Sequence, residues 1–180
     1  MSTWTLQTGY PLLSVEENVD GTLSIEQRRF VKDGTADVGL WKIPVAIRGP
    51  AEDSKSYILL DSATSPDLPC PKGEWLKLNP GQAGVYRVRY SPPLLAKLAP
   101  HVSSLPATDR IGLVGDAFAL ATAGLTPAVT VLQFLLGFGK RDYPLYLLSP
   151  GVCFSSLAYS CAGHQLTRPI TQSGPTFQPV

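Results

Sequence analysis

The stretch "EWLKLNPGQAGVYRVRY", residues 74 to 90, alternates apolar and polar side chains on both sides of a Pro-Gly turn. Leu76 and Leu78 fall on one face of a strand and Lys77 on the other, which is the pattern of a half-buried strand. Pro80 followed by Gly81 suits a type II turn, because glycine accepts the positive φ angle that the third turn position requires. The stretch therefore predicts two strands of an antiparallel sheet in which Lys77 faces solvent.

The strand after the turn alternates in the same way. Its two faces carry Tyr86, Val88 and Tyr90 on one side and Val85, Arg87 and Arg89 on the other. The two arginines could bind a carboxylate, but charges on the wet face of a strand are usually solvated, and we predict solvation. Gly84 should let an aromatic ring such as that of Trp75 come close to the backbone.

Composition limits the classes of protein that fit. The chain has 180 residues, 44% of them hydrophobic and 16% charged, so it can bury a core and is short of surface charge. The net charge is +1 and no basic stripe is present, which argues against nucleic-acid binding. The first ten residues lack the basic start and apolar run of a signal peptide, and we expect a cytoplasmic protein.

Residues 1–90 predict a domain of about seven short strands. The candidate strands are residues 4–7, 12–16, 22–30, 41–47, 57–60, 75–78 and 85–90. Asp20-Gly21 is a hairpin signal, and residues 62–73 form a long polar loop rich in proline. Strands at this spacing favour a β-sandwich of the immunoglobulin type.

The period of the pattern changes to that of helices at Ser91, and residues 91–142 form the second predicted unit. Prolines 92 and 93 begin one helix, and a second has a stripe of apolar residues at helical spacing: Ile111, Leu113, Val114, Ala117, Phe118, Leu120 and Ala121. Asp109 complements the N-terminus of that helix, and Gly124 is placed to cap its end. Thr126-Pro127 starts a third helix that runs to about Phe138.

The remaining residues, 143–180, are uncharged except for Arg168 and rich in proline and serine. They predict a disordered tail, and their prolines disfavour a membrane-spanning helix. The chain has three cysteines with loose spacing, Cys70, Cys153 and Cys161, which are more consistent with free thiols than with a disulfide framework.

Candidate metal and nucleotide sites are weak. The only histidines are His101 and His164, so an H-E-x-x-H zinc motif is absent from the sequence. Cys153, Cys161 and His164 could supply three zinc ligands, but a fourth is missing. The glycines at 137 and 139 in "GFGKRD" resemble a dinucleotide loop without its third glycine, and a helix end is the simpler interpretation.

Candidate acid–base residues have ordinary structural explanations. Asp109 and Asp116 are two turns apart on one predicted helix and could form a carboxylate pair for acid–base chemistry. Capping and salt-bridge roles are commoner for such residues. His101 follows Pro100 at a helix end, where a histidine usually complements exposed carbonyls. No G-x-S-x-G elbow surrounds a serine. We predict no catalytic, cofactor-binding or metal-binding residue in this chain.

Five blocks of the sequence nevertheless carry a resemblance. They are residues 3–11 (TWTLQTGYP), 25–30 (IEQRRF), 41–45 (WKIPV), 75–90 (WLKLNPGQAGVYRVRY) and 109–124 (DRIGLVGDAFALATAG). In this order the blocks closely resemble zinc aminopeptidases of the puromycin-sensitive and aminopeptidase N type. The resemblance runs from Met1 to about Tyr146.

The resemblance implies a place within a larger enzyme. In that family a small β-sandwich lies between a thermolysin-like catalytic domain and a large helical C-terminal domain. The zinc ligands, the catalytic glutamate, the segment that holds the substrate amine and the transition-state tyrosine all precede the sandwich. The resemblance therefore implies that this chain is a non-catalytic fragment: the sandwich with the first helices of the helical domain.

Two functions follow from the resemblance. In one, the chain is a spacer in an enzyme that uses zinc to remove N-terminal residues from peptides, and it needs no cofactor of its own. In the other, it is a separate interaction module that binds a full-length aminopeptidase or another partner, or associates with itself, through a helical face left uncovered. For both functions we expect neither nucleic acid nor a membrane as a partner.

Overall fold

The computed structural model describes residues 2–33, 39–51, 55–69 and 74–138. Its strands are β1 (Pro11–Glu17), β2 (Thr22–Arg29), β3 (Ile43–Arg48), β4 (Ser56–Leu60), β5 (Leu68–Pro69), β6 (Lys77–Leu78) and β7 (Arg87–Tyr90). Its α-helices are α1 (Ser2–Thr5), α2 (Pro92–Leu98), α3 (Ala107–Thr122) and α4 (Ala128–Leu135), and a 3-10 segment, Ala99–Ser104, joins α2 to α3. A β-rich first part followed by helices is confirmed.

The strands form two sheets. One has the order β5-β2-β1-β7, and the other has the order β4-β3-β6. β1 and β2 pair in antiparallel fashion across the predicted hairpin, where Gly21 has a φ of 81°. The Asp20 carboxylate accepts hydrogen bonds from the Thr22 amide and hydroxyl, and these bonds lower the pKa of Asp20.

One hydrophobic core joins both sheets to the helices. It takes alternate residues from β1 to β4, such as Val15, Ile25, Val45 and Leu60, because successive side chains of a strand point to opposite faces. The same cluster continues into the helices at Leu94, Leu98, Val102, Leu113, Val114, Phe118 and Phe134. The β-rich part and the helices therefore share buried apolar surface. The assignment to an immunoglobulin-type sandwich stays a prediction.

The turn that follows β6 joins the two sheets, which corrects the prediction of a hairpin in one antiparallel sheet. β6 pairs with β3 in antiparallel fashion, whereas β7 pairs with β1 and is parallel to it. The alternation predicted for residues 85–90 is confirmed, since Tyr86, Val88 and Tyr90 are buried and Val85 is exposed. Periodicity identifies the faces of a strand but carries no information about its neighbour.

Two other local predictions are wrong. Residues 4–7, predicted as a strand, lie partly in helix α1, where the Trp4 indole donates a hydrogen bond to the Lys42 carbonyl. The loop predicted at 62–73 contains the short strand β5, which pairs with the start of β2 at Thr22 and Leu23. Both differences arise from tertiary contacts that local sequence does not reveal.

The predictions for the helices agree with the structure better than those for the strands and loops. Gly124 ends α3 with a φ of 70°, as its predicted capping role requires. The apolar stripe of α3 is buried except at Ile111, which is exposed, and at Ala117, which is partly buried. Helix α4 begins after Pro127, and Thr126 does not act as its N-cap. Among the described residues no helix is both long enough and apolar enough to span a membrane.

Several predictions concern residues beyond Phe138 or inside a gap of the described ranges. These are the disordered tail, the free thiols at Cys70, Cys153 and Cys161, and the possible zinc ligand His164, all of which lie outside the described residues. The domain boundaries at residues 90 and 142 stay predictions.

Candidate functional site

The site begins with the turn between β6 and β7. Gly81 has φ and ψ angles of 71° and 5°, and the Gln82 amide donates to the Asn79 carbonyl at 3.0 Å, as in the predicted type II turn. Asn79 itself has a φ of 54°, a conformation that asparagine tolerates. Its side-chain amide exchanges two hydrogen bonds with the backbone of Gly84, at 2.9 and 2.7 Å. The loop is therefore held in shape by its own side chain.

A buried ion pair fixes this turn to the first turn of α3. Lys77 and Asp109 are each 1% exposed, and the Lys77 Nζ lies 3.1 Å from the Asp109 Oδ1. The same ammonium donates to the carbonyls of Leu78 and Asn79, at 2.9 and 3.0 Å. The Asp109 Oδ1 also accepts a hydrogen bond from the Gly81 amide at 2.6 Å. Every donor of the ammonium therefore has an acceptor, as a buried charge requires.

Lys77 is thus not on a solvent-facing side of its strand, and the prediction from alternation is wrong at this residue. Asp109 in the first turn of α3, which begins about thirty residues later in the chain, meets the Lys77 side chain instead of solvent. Burial lowers the pKa of Lys77, and the Asp109 carboxylate opposes that effect by favouring the charged form. The second carboxylate oxygen of Asp109, Oδ2, is buried and has no hydrogen-bond partner among the described residues.

A second ion pair joins β7 to the middle of α3. The Arg87 Nη1 lies 3.0 Å from the Asp116 Oδ1, and the Val88 amide donates to the Asp116 Oδ2 at 3.0 Å. Burial raises the pKa of Asp116 to about 6, against the opposing effects of the Val88 amide and the Arg87 guanidinium. Asp116 therefore satisfies a backbone donor on β7, an edge strand of its sheet, as well as a charge.

Arg87 is half-buried and paired, which corrects its predicted solvation. Its guanidinium lies over the rings of Tyr10 and Phe30, 5.6 and 5.1 Å from their centroids, and its Nε donates to the Tyr10 hydroxyl. Burial opposes the charge, but the hydrogen bond to Tyr10 and the carboxylate of Asp116 outweigh it and raise the pKa of Arg87. We find no such network for Arg89 in the described part of the chain, and its predicted solvation stands as a prediction.

The other sequence candidates have structural roles. Asp109 and Asp116 bind different cations, so their arrangement is that of two ion pairs and not of a carboxylate pair for acid–base chemistry. His101 stacks on the ring of Trp75, with 5.6 Å between centroids. The ring that lies against Gly84 belongs to Tyr86, whereas Trp75 was predicted there.

Sequence reasoning missed two residues of the site. Asn79 enters the sequence prediction only as part of the quoted turn, although an asparagine before Pro-Gly is a signal for side-chain bonding to a loop. Gly112 on α3 lies against the side chain of Gln82, where a Cβ atom would collide with the amide. The second contact has no sequence signal, because it joins two elements that are distant in the chain.

The described residues do not provide an obvious metal site. Within ranges 2–33, 39–51, 55–69 and 74–138, no group of three or more His, Cys, Asp or Glu side chains is arranged to hold an ion. The geometry supports a mechanical joint: two ion pairs and a rigid turn hold the first long helix against both sheets.

Comparison with known proteins shows what the residues of this joint are similar to. Residues 75–148, which include β6, the turn, β7 and all the helices after it, match the family described as the ERAP1-like C-terminal domain. The chain is 34% identical over 153 residues to a puromycin-sensitive aminopeptidase from Caenorhabditis elegans. This chain is a relative of the puromycin-sensitive and M1-type aminopeptidases.

Two plant relatives give the same result. Aminopeptidase M1 from Arabidopsis thaliana is 35% identical over 161 residues, and Aminopeptidase M1-B from Oryza sativa is 33% identical over 188 residues. These alignments cover 79% and 96% of this chain, but only 18% and 21% of the plant proteins. For the Caenorhabditis protein the shares are 79% and 16%. This chain therefore spans about a fifth of the length of the proteins it matches.

Proposed function

We propose that this chain is the joint between the β domain and the helical domain of a zinc aminopeptidase that removes N-terminal residues from peptides. The observation that carries the proposal is the Lys77–Asp109 pair, in which a buried charge on β6 meets a buried charge on α3. Both residues fall in the range that matches the C-terminal domain family. The pair favours this orientation, because separating the two side chains while they stay buried would leave both charges without a partner.

The proposal assigns no step of peptide hydrolysis to the described residues, since their side chains do not form a group that fits a zinc ion. The zinc and the catalytic groups of the proposed enzyme would be supplied by other domains. The full chain, incubated with zinc and an aminoacyl fluorogenic substrate, should give no turnover above buffer. Turnover that disappears when a chelator is added would contradict the proposal.

A chimaera tests the mechanical role. Residues 2–138 would replace the matching part of the Caenorhabditis puromycin-sensitive aminopeptidase, with and without Asp109→Asn. We expect the substitution to lower aminopeptidase activity and to increase protease cleavage in the turn, because Lys77 then loses its partner. Glu17→Gln is the matched control, since the Glu17–Lys97 pair is 19% and 28% exposed and also joins a strand to a helix. An Asp109→Asn chimaera as active and as resistant as this control would contradict the role.

A second candidate function rests on α4. Val129 and Leu132 on α4 and Leu136, which follows its last residue, are spaced three and four residues apart and are exposed, so this face of the helix is apolar and open. This favours a module that binds a full-length aminopeptidase. A pull-down with purified Aminopeptidase M1 from Arabidopsis should then succeed with the wild-type chain and fail with Leu132→Gln. Equal capture by both would contradict this function.

A further inference from the structure

The strand β4 has an open edge. It forms one side of the three-stranded sheet with the order β4-β3-β6 and is paired to β3 alone in the described part of the chain. Its sequence, SYILL, contains no charge, no proline and no glycine. Natural edge strands usually carry such residues to prevent pairing with another chain. β4 is therefore suited to accept a further strand.

The backbone groups on this open edge can be identified from the sheet register. The Asn79 amide donates to the Ala46 carbonyl at 3.0 Å, so the polar groups of Ala46 point toward β6. Tyr57 lies opposite Ala46, and in an antiparallel ladder opposite residues either bond to each other or both point away. Tyr57 therefore directs its N–H and C=O outward.

Leu59 follows two residues later and has the same orientation. It lies opposite Pro44, which has no N–H to donate, as expected for a pair that does not hydrogen bond. The open edge thus presents the backbone groups of Tyr57 and Leu59. Their side chains share the outer face of the sheet and are 73% and 63% exposed.

The charges that flank the strand are complementary. Lys55 precedes β4 and Asp61 follows it, and both are exposed. The four residues Lys55, Tyr57, Leu59 and Asp61 are spaced two apart, and side chains at this spacing share a face where the strand continues. The two sides of Ile58 are complementary. The aromatic Tyr57 matches the aliphatic Leu59 at the same distance from Ile58, and the cation Lys55 matches the anion Asp61 further out.

We propose that β4 is a self-association site, in which a second copy of this chain adds its own β4 in antiparallel register about a two-fold axis at Ile58. In this register Tyr57 of each copy lies opposite Leu59 of the other. Each of these pairs can exchange both backbone hydrogen bonds, because both residues direct their polar groups outward. The two three-stranded sheets then become one continuous sheet.

The same register aligns the side chains. Each Tyr57 ring contacts a Leu59 side chain across the strands, a combination that stabilises antiparallel pairs. Each Lys55 lies opposite Asp61 of the other copy, so the charges are paired twice by symmetry. A shift of register by two residues would lose both ion pairs. A parallel arrangement would place like charges together.

The contact area of one strand pair is small, so the complex belongs to the weak, concentration-dependent class of interfaces. Sedimentation velocity of the full chain should show a monomer–dimer equilibrium. Lys55→Asp and Asp61→Lys should each raise the dissociation constant at least about tenfold, because each substitution creates two like-charged pairs in the homodimer.

The decisive experiment is sedimentation of a mixture of the two variants. A copy carrying Lys55→Asp and a copy carrying Asp61→Lys form opposite-charge pairs at both positions, so their 1:1 mixture should regain the dissociation constant of the wild type. The combined variant with both substitutions should dimerise as well. Leu136→Gln, which changes an exposed residue directly after α4, is the control and should leave dimerisation unchanged. Thermal melting of each variant verifies that the chain is folded.

Three results would overturn the proposal. A wild-type chain that is monomeric at all concentrations has no such interface. Association that survives both charge variants but is lost in Leu136→Gln occurs through the helical face. Amide exchange at Tyr57 and Leu59 that is slow at every concentration would mean that a segment of the same chain covers the edge.

Discussion

Replacing Asp109 by asparagine tests the buried joint directly. The amide keeps the shape of the side chain and an oxygen that can accept from the Gly81 amide, but it removes the negative charge beside the Lys77 ammonium. Lys77 would then be a buried cation whose hydrogen-bond partners are the neutral carbonyls of Leu78 and Asn79. The substitution therefore isolates the electrostatic part of the contact.

The expected loss is large because both partners are 1% exposed. Removing one member of a buried pair costs about 3–5 kcal/mol, mainly because the remaining charge stays out of water. That is a large part of the 5–15 kcal/mol or so that stabilises a typical domain. Glu17→Gln, at a pair that is 19% and 28% exposed, should cost at most about 1 kcal/mol.

The pH dependence has a definite sign. Burial already lowers the pKa of Lys77 from 10.5, and without Asp109 its pKa falls further. Between the folded and unfolded pKa values the unfolded chain binds more protons, so the free energy of unfolding rises with pH. The difference in the free energy of unfolding between the wild type and Asp109→Asn should therefore shrink as the pH is raised toward 10.5.

Urea unfolding followed by tryptophan fluorescence measures these differences, since Trp41 and Trp75 are buried in the native state. If Asp109→Asn lowers the free energy of unfolding no more than Glu17→Gln does, the stabilising role of the buried pair is refuted. The variant Lys77→Met/Asp109→Leu removes both charges and should be more stable than Asp109→Asn, because no unpaired charge remains. A double variant that is less stable than the single one would refute the electrostatic explanation.

Three further predictions concern the same region. Burial raises the pKa of Asp116 from 3.8 to about 6, so its contribution to the free energy of unfolding should be complete below about pH 4 and lost as the pH rises through about 6. Denaturation curves measured across this range should lose the trend in Asp116→Asn. Tyr90→Phe should cost about 1–3 kcal/mol in urea unfolding, because the Leu78 amide loses the hydroxyl oxygen that accepts from it at 2.9 Å. Gly84→Ala should lower the melting temperature by an amount equivalent to about 1–3 kcal/mol, because its methyl group would overlap the Tyr86 ring; an unchanged melting temperature would contradict that contact.

Local patterns in the sequence determined much of the fold. Alternation identified β1, β2, β3, β4, β6 and β7 to within two residues at most ends, and helical spacing identified α2, α3 and α4. Gly81 and Gly124 were assigned to positions of positive φ, and both have it. These features depend on neighbours along the chain, so their signals are present in the sequence itself.

Tertiary structure alone decided the chemistry of the joint. Lys77 and Arg87 follow the same alternating pattern as solvent-facing residues, and only the packing of α3 onto the strands makes one buried and the other half-buried. The parallel contact between β1 and β7 likewise joins residues about 75 positions apart. The sequence by itself determined which residues form strands, turns and helices. Which charges meet was decided by the tertiary structure, because a partner distant in the chain leaves no periodic signal near the residue it pairs with.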